Sequence, residues 1–186
     1  MNIFYTHPDP KQCALNHCNR HCVKMIWEYA QMLSTAHRRL DGNVWADDQG
    51  LMKATHEGHP CTFWAEQSTY HYDWLYELWV YLLLQYKQYY NRDHDKAYLI
   101  EPLARHPFYM VRRGFKPPYM VGDPELAKEH KDAISYYKHY LVKKYNAWDD
   151  KKYSFRYPWG NPDWLIYFPK ENLVNIKESW HVDKTK

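Results

Sequence analysis

No apolar run in the 186 residues approaches the ~20 needed to cross a bilayer, and the opening residues lack a basic start followed by a hydrophobic stretch. Such a chain is expected in the cytoplasm, the host's if it is viral, with no membrane partner. A large excess of one charge is also missing. The formal charge is +3, which excludes a strongly basic nucleic-acid coat and leaves any anionic partner to a local patch. Neither a glycine-rich phosphate loop ending in Gly-Lys-Ser/Thr nor a Gly-x-Gly-x-x-Gly fingerprint is present, so a nucleotide-binding fold is not expected. Internal repeats and low-complexity segments are absent too. Cysteine is limited to Cys13, Cys18, Cys22 and Cys61, and the first three sit too close together at helical spacing for several bridges. Reduced thiols follow.

A metal centre is not expected either. Cys13, His17, Cys18, His21 and Cys22 are ligand types for zinc, but on one helix Cys18 and Cys22 lie off the line of His17 and His21, and there is no Cys-x-x-Cys pair. The segment from His56 to Cys61 has the flavour of a zinc deaminase. It fails because Glu57 directly follows His56 and no second cysteine stands three residues after Cys61. No cofactor is called for.

What is present is enough apolar residue for one domain's core, 45% of the composition, with 19 Tyr and 9 Trp supplying much of it. The pattern predicts an all-α fold, a single-domain monomeric bundle of about four helices over residues 1–160, with a short extended N-terminus and an irregular tail over 161–186. Residues 1–6 are apolar and extended in character, and Pro8 and Pro10 restart the chain as helix. Ala14, Cys18, Cys22, Met25, Ile26, Tyr29, Met32 and Leu33 recur at three- and four-residue spacing, predicting one helix over 11–40 that ends at Asp41 and Gly42. Residues 43–58 read as a loop with at most a short turn. A second long helix is expected over 60–90, with Phe63, Trp64, Tyr70, Trp74, Leu78, Tyr81 and Leu82 inward. A shorter one follows over 94–104, then a proline-bearing loop over 106–118. Asp123, Pro124 and Glu125 announce a last helix running to about residue 147. In the tail, apolar residues from Trp164 to Phe168 suggest partial docking.

At about 100° per residue, His17, His21, Lys24, Glu28 and Gln31 fall in one narrow arc beside the apolar stripe. Two imidazoles, an ammonium, a carboxylate and an amide there are either a solvated helix face with ordinary i,i+4 partners or an acid/base site centred on a sheltered Glu28. Between Ile134 and Tyr157 six basic residues face two acids, and Lys138, Lys143 and Lys144 alternate with tyrosines. That mixture tracks phosphates while stacking on bases, or it is a tyrosine-rich helix with a solvated lysine face.

In order, these pieces resemble the phage pyrimidine-dimer DNA glycosylase/AP-lyase family, endonuclease V of the T-even type. The residues that carry the likeness are HCVKMIWE at 21–28, GHPCTFW at 58–64 opening an aromatic helix, and the tyrosine-lysine segment 136–145. The opening MNIF and the blocks around His21 and His59 also resemble small uncharacterised proteins of tailed phages. The glycosylase resemblance implies action on damaged or modified pyrimidines in double-stranded DNA through a chain-terminal amine, at Met1 or Asn2, with Glu28 as the acidic group. His21 and Lys24 would tune Glu28 or hold phosphate, and His17, Gln31, His59, Trp64, Lys138, Lys143 and Lys144 would bind substrate. The family exposes its amine by removing Met before a small residue, whereas Asn2 normally leaves Met in place. Two other readings use the same residues: a phage enzyme of DNA-base or nucleotide modification with His21 as base, and a non-catalytic DNA-binding or host-interaction protein.

Overall fold

The computed structural model describes residues 1–148 and 155–167. Its eight α-helices and two short 3-10 turns confirm the all-α class, and there is no strand among the described residues. No described helix is long and apolar enough to cross a membrane.

The helix count is where the expectation fails, because three of the four expected helices are each divided in two and the other is shortened. The first divides into α1 (Pro10–Leu15) and α2 (Asn19–Leu40). The backbone N–H groups of Asn16 and His17 close α1, Cys18 is extended at ψ 162°, and Arg156 O accepts from Asn19 N at 2.8 Å. His17 therefore stands in the break, outside the arc drawn for it. All eight stripe residues are nevertheless buried. The expected loop over 43–58 holds α3 (Asn43–Asp48), anchored by the buried Arg38 guanidinium, which donates to Asn43, Asp47 and the carbonyls of Leu51 and Met52.

The second expected helix divides into α4 (Pro60–Glu66) and α5 (Thr69–Tyr90). Ser68 forces the division: its hydroxyl accepts from Tyr70 N at 3.3 Å to cap α5 and donates to Arg113 O. With the helix re-aimed, Trp64, Trp74, Leu78 and Leu82 are buried as expected, while Phe63 and Tyr70 are exposed. Over 94–104 only a 3-10 turn (Ala97–Leu99) and the four-residue α6 (Ile100–Leu103) form. The last helix divides into α7 (Pro124–Glu129) and α8 (Ala133–Asn146), capped by Asp123 and Asp132. A closing 3-10 turn (Asp163–Tyr167) buries Trp164 and Leu165; Phe168 and the tail beyond it lie outside the described residues.

The core is built on α2 packed against α5, α4 and α3, with α1 resting on α5. Its least expected member is the chain's beginning. Ile3, Phe4 and Tyr5 are at most 4% exposed, and their backbone is tied into the interior by Tyr29 Oη accepting from Phe4 N and by Cys13 Sγ donating to Phe4 O. This buried segment positions the site, because it delivers Asn2 to the side of α2.

Candidate active site at the chain's beginning

Glu28 sits midway along α2 with its side chain 17% exposed. One carboxylate oxygen accepts from the Asn2 backbone nitrogen at 3.1 Å and the other pairs with Lys24 Nζ at 3.2 Å. Asn2 is buried and fixed on its other sides: Nδ2 donates to Val121 O at 3.3 Å, Oδ1 accepts from Ile3 N at 3.0 Å, and Tyr140 lies beside the side chain. Gly122 makes room for that tyrosine. Its φ is +107°, and a Cβ there would stand 2.9 Å from Tyr140 Oη, so the position takes glycine for two reasons.

Lys144 completes the polar cluster from α8. Its ammonium lies 5.6 Å from the ring centres of both Phe4 and Tyr140, and its pKa is lowered by burial first and by Lys24 second, with Glu28 opposing. Two cations and a carboxylate thus share a partly sheltered corner. Burial raises the Tyr140 pKa, keeping it a neutral hydroxyl. Val121, whose carbonyl holds Asn2, also borders a groove of about 610 Å³ walled by Arg39, Phe63 and Tyr119. Arg39 is held there by Glu66 at 2.8 Å.

The other expected site residues are placed differently. His21 is 3% exposed beneath Phe4, 4.6 Å away ring to ring, with Nδ1 on Tyr145 Oη at 3.0 Å. Burial first and the neighbouring His17 second hold its pKa well below the usual value, so it is a neutral core imidazole. His17 bridges Cys13 O and Tyr29 Oη, and burial lowers it to about 4. Gln31 donates to Lys53 O at the far end of the arc. His59 caps α4 by accepting from Cys61 N at 3.1 Å, and its pKa is lowered by burial and then by the positive charge of the chain's amine. Met1 reaches the same neighbourhood, its sulfur accepting from Thr62 Oγ1 at 3.5 Å. Trp64 is 1% exposed, stacked on His71 with Nε1 on Lys116 O, and offers no face to a ligand. Lys143 is taken by Asp123 at 2.6 Å, and Lys138 is half-buried elsewhere on α8. Of the expected set, Asn2, Lys24, Glu28 and Lys144 are the residues brought together.

Sequence reasoning passed over Val121 and Gly122, and held Tyr140 only as part of the tyrosine-lysine segment 136–145. Only a glycine immediately before the Asp123 cap hinted at a tight approach there. The cysteines hold no common centre: Cys13 and Cys22 donate to separate carbonyls, Cys18 lies beside Tyr145, and burial raises all four pKa values to about 11 or 12. Each is a buried thiol.

No known protein family, characterised protein or solved structure matches this chain.

Proposed function

We propose that the protein is a DNA glycosylase/AP-lyase acting on damaged or modified pyrimidine nucleotides, with the Asn2 nitrogen as nucleophile once Met1 is removed, a cleavage that needs dedicated processing because Asn at the second position normally retains Met. One observation carries the reading: the Asn2 nitrogen lies 3.1 Å from the sheltered Glu28 carboxylate. Amide nitrogens do not attack sugars, but an α-amine at this place does, since α-amines titrate near ~8 and a useful fraction is neutral at cellular pH.

In this mechanism the amine's lone pair attacks C1′ of the target nucleotide, the glycosidic bond breaks, and the base leaves with the bonding electrons and takes a proton from water. Glu28 takes the proton released by the attacking amine and returns it to the ring oxygen as the sugar opens to a protonated imine. Loss of the C2′ proton then expels the 3′ phosphate, and water hydrolyses the imine to free the amine. Lys24 and Lys144 hold the flanking phosphates, which position the strand without reading its sequence. The groove by Phe63, Tyr119 and Arg39 takes the displaced base or its partner by stacking.

Borohydride trapping on an abasic duplex tests the proposal, because reduction of the imine leaves a stable secondary amine joining protein to DNA. A covalent adduct is expected on Asn2 by mass spectrometry, falling about 10²-fold or more in Glu28→Gln and disappearing when the amine is blocked. No adduct, or one indifferent to both changes, ends the reading. Salt-sensitive DNA binding that survives Glu28→Gln without any adduct indicates a binding protein instead.

A further inference from the structure

At the junction of α7 and α8, three ligand-type side chains converge. Glu129 is the last residue of α7, His130 follows it in extended conformation (ψ 140°), and His139 lies in the second turn of α8. One donor atom from each of the three lies within 4.8 Å of the others, the sole such group among the described residues. His130 Nε2 and His139 Nδ1 are 3.0 Å apart. We propose that Glu129, His130 and His139 form a binding site for a borderline divalent metal ion of the zinc class, stapling α7 to α8.

The geometry favours a shared ion. Two imidazole nitrogens each ~2.0–2.1 Å from one metal stand roughly 3.0–3.4 Å apart in cis-octahedral or tetrahedral arrangement, so the observed pair needs at most a few tenths of an ångström of adjustment. Two imidazoles and one carboxylate suit zinc, cobalt or nickel over magnesium and calcium, which take oxygen ligands. Both rings are half-buried and Glu129 is exposed, leaving water for the remaining positions. The ion would bond a ring nitrogen of His139 through its free lone pair. Around that ring stand Glu129, Asp123, His130 and Lys143, the last paired with Asp123 at 2.6 Å.

The staple also has a structural consequence. Asp123, at the start of α7, has its N–H on Tyr136 Oη of α8, and that hydroxyl donates to Val121 O, the carbonyl that holds Asn2. Fixing α7 against α8 therefore fixes the wall behind Asn2. The site stands independently of the proposed reaction.

Calorimetric titration of the untagged full chain with zinc chloride is the test. One equivalent is expected to bind, with affinity falling at least tenfold in His130→Ala and in His139→Ala, less in Glu129→Gln, and with a zinc-dependent rise in melting temperature that both histidine variants lose. Cobalt(II) gives a readout without any variant: ligand-field bands of nitrogen and oxygen ligation, with no thiolate charge transfer. Failure to bind, binding unchanged in the double histidine variant, or a thiolate spectrum from the buried cysteines each overturns the proposal, leaving an imidazole–imidazole hydrogen bond.

Discussion

Burial makes His17 and His21 neutral in the folded chain, and that ties stability to pH. Unfolded, His17 titrates near 6.5; folded, at about 4, because its ring is cut off from water. The unfolded state therefore binds the extra proton over that window, so stability is full above about pH 6.5 and declines as pH falls towards about 4. For His17 the loss is about 3 kcal/mol, and His21 is shifted in the same direction for the same reason. Urea unfolding across this range should show the decline, and His17→Gln should flatten it; a constant unfolding free energy would mean that neither ring is desolvated. The helical arc put both rings beside Glu28, since spacing shows which residues share a face. It does not show what covers that face, here Phe4 above His21 and Tyr29 against His17.

At the scale of elements, the breaks are set by side chains that hydrogen-bond backbone more profitably than the helix would. Ser68 is the clearest case. Fully buried, its hydroxyl caps α5, donates to Arg113 O and accepts from Arg113 N at 3.2 Å, pinning the loop over 106–118 to the helix start. Ser68→Ala should cost about 2 kcal/mol, read as a lower urea midpoint with unchanged helix content by circular dichroism. Apolar periodicity runs straight through Ser68 because Trp64 and Trp74 are buried on both sides of it. Asp132, which accepts from Ser135 N at 2.9 Å, divides α7 from α8 in the same way. The Asp123 cap was legible because Asp, Pro and Glu in succession point to one structure; Ser68 lacked such company.

For the whole molecule, the small net charge of +3 bounds how DNA would be held under the proposed function. Lys24 and Lys144 stand at the candidate site with Lys138 farther along α8, while Lys143 is neutralised by Asp123. If about three phosphates are contacted, the logarithm of the binding constant should fall with the logarithm of salt concentration at a slope of roughly −2 to −3. Lys24→Ala and Lys144→Ala should each reduce that slope by about 1, measured by fluorescence anisotropy on a duplex. A slope near zero would place the DNA elsewhere or nowhere.

The sequence alone determined the all-α class, the buried stripe of α2 and the i,i+4 pairing of Lys24 with Glu28, because helical periodicity and local capping act within a few residues. Tertiary structure decided that the chain's first residues run through the core and set the Asn2 nitrogen on Glu28, 26 positions away. It also decided that His130 meets His139. Those meetings depend on how separate elements pack against one another, which spacing along a single helix does not encode.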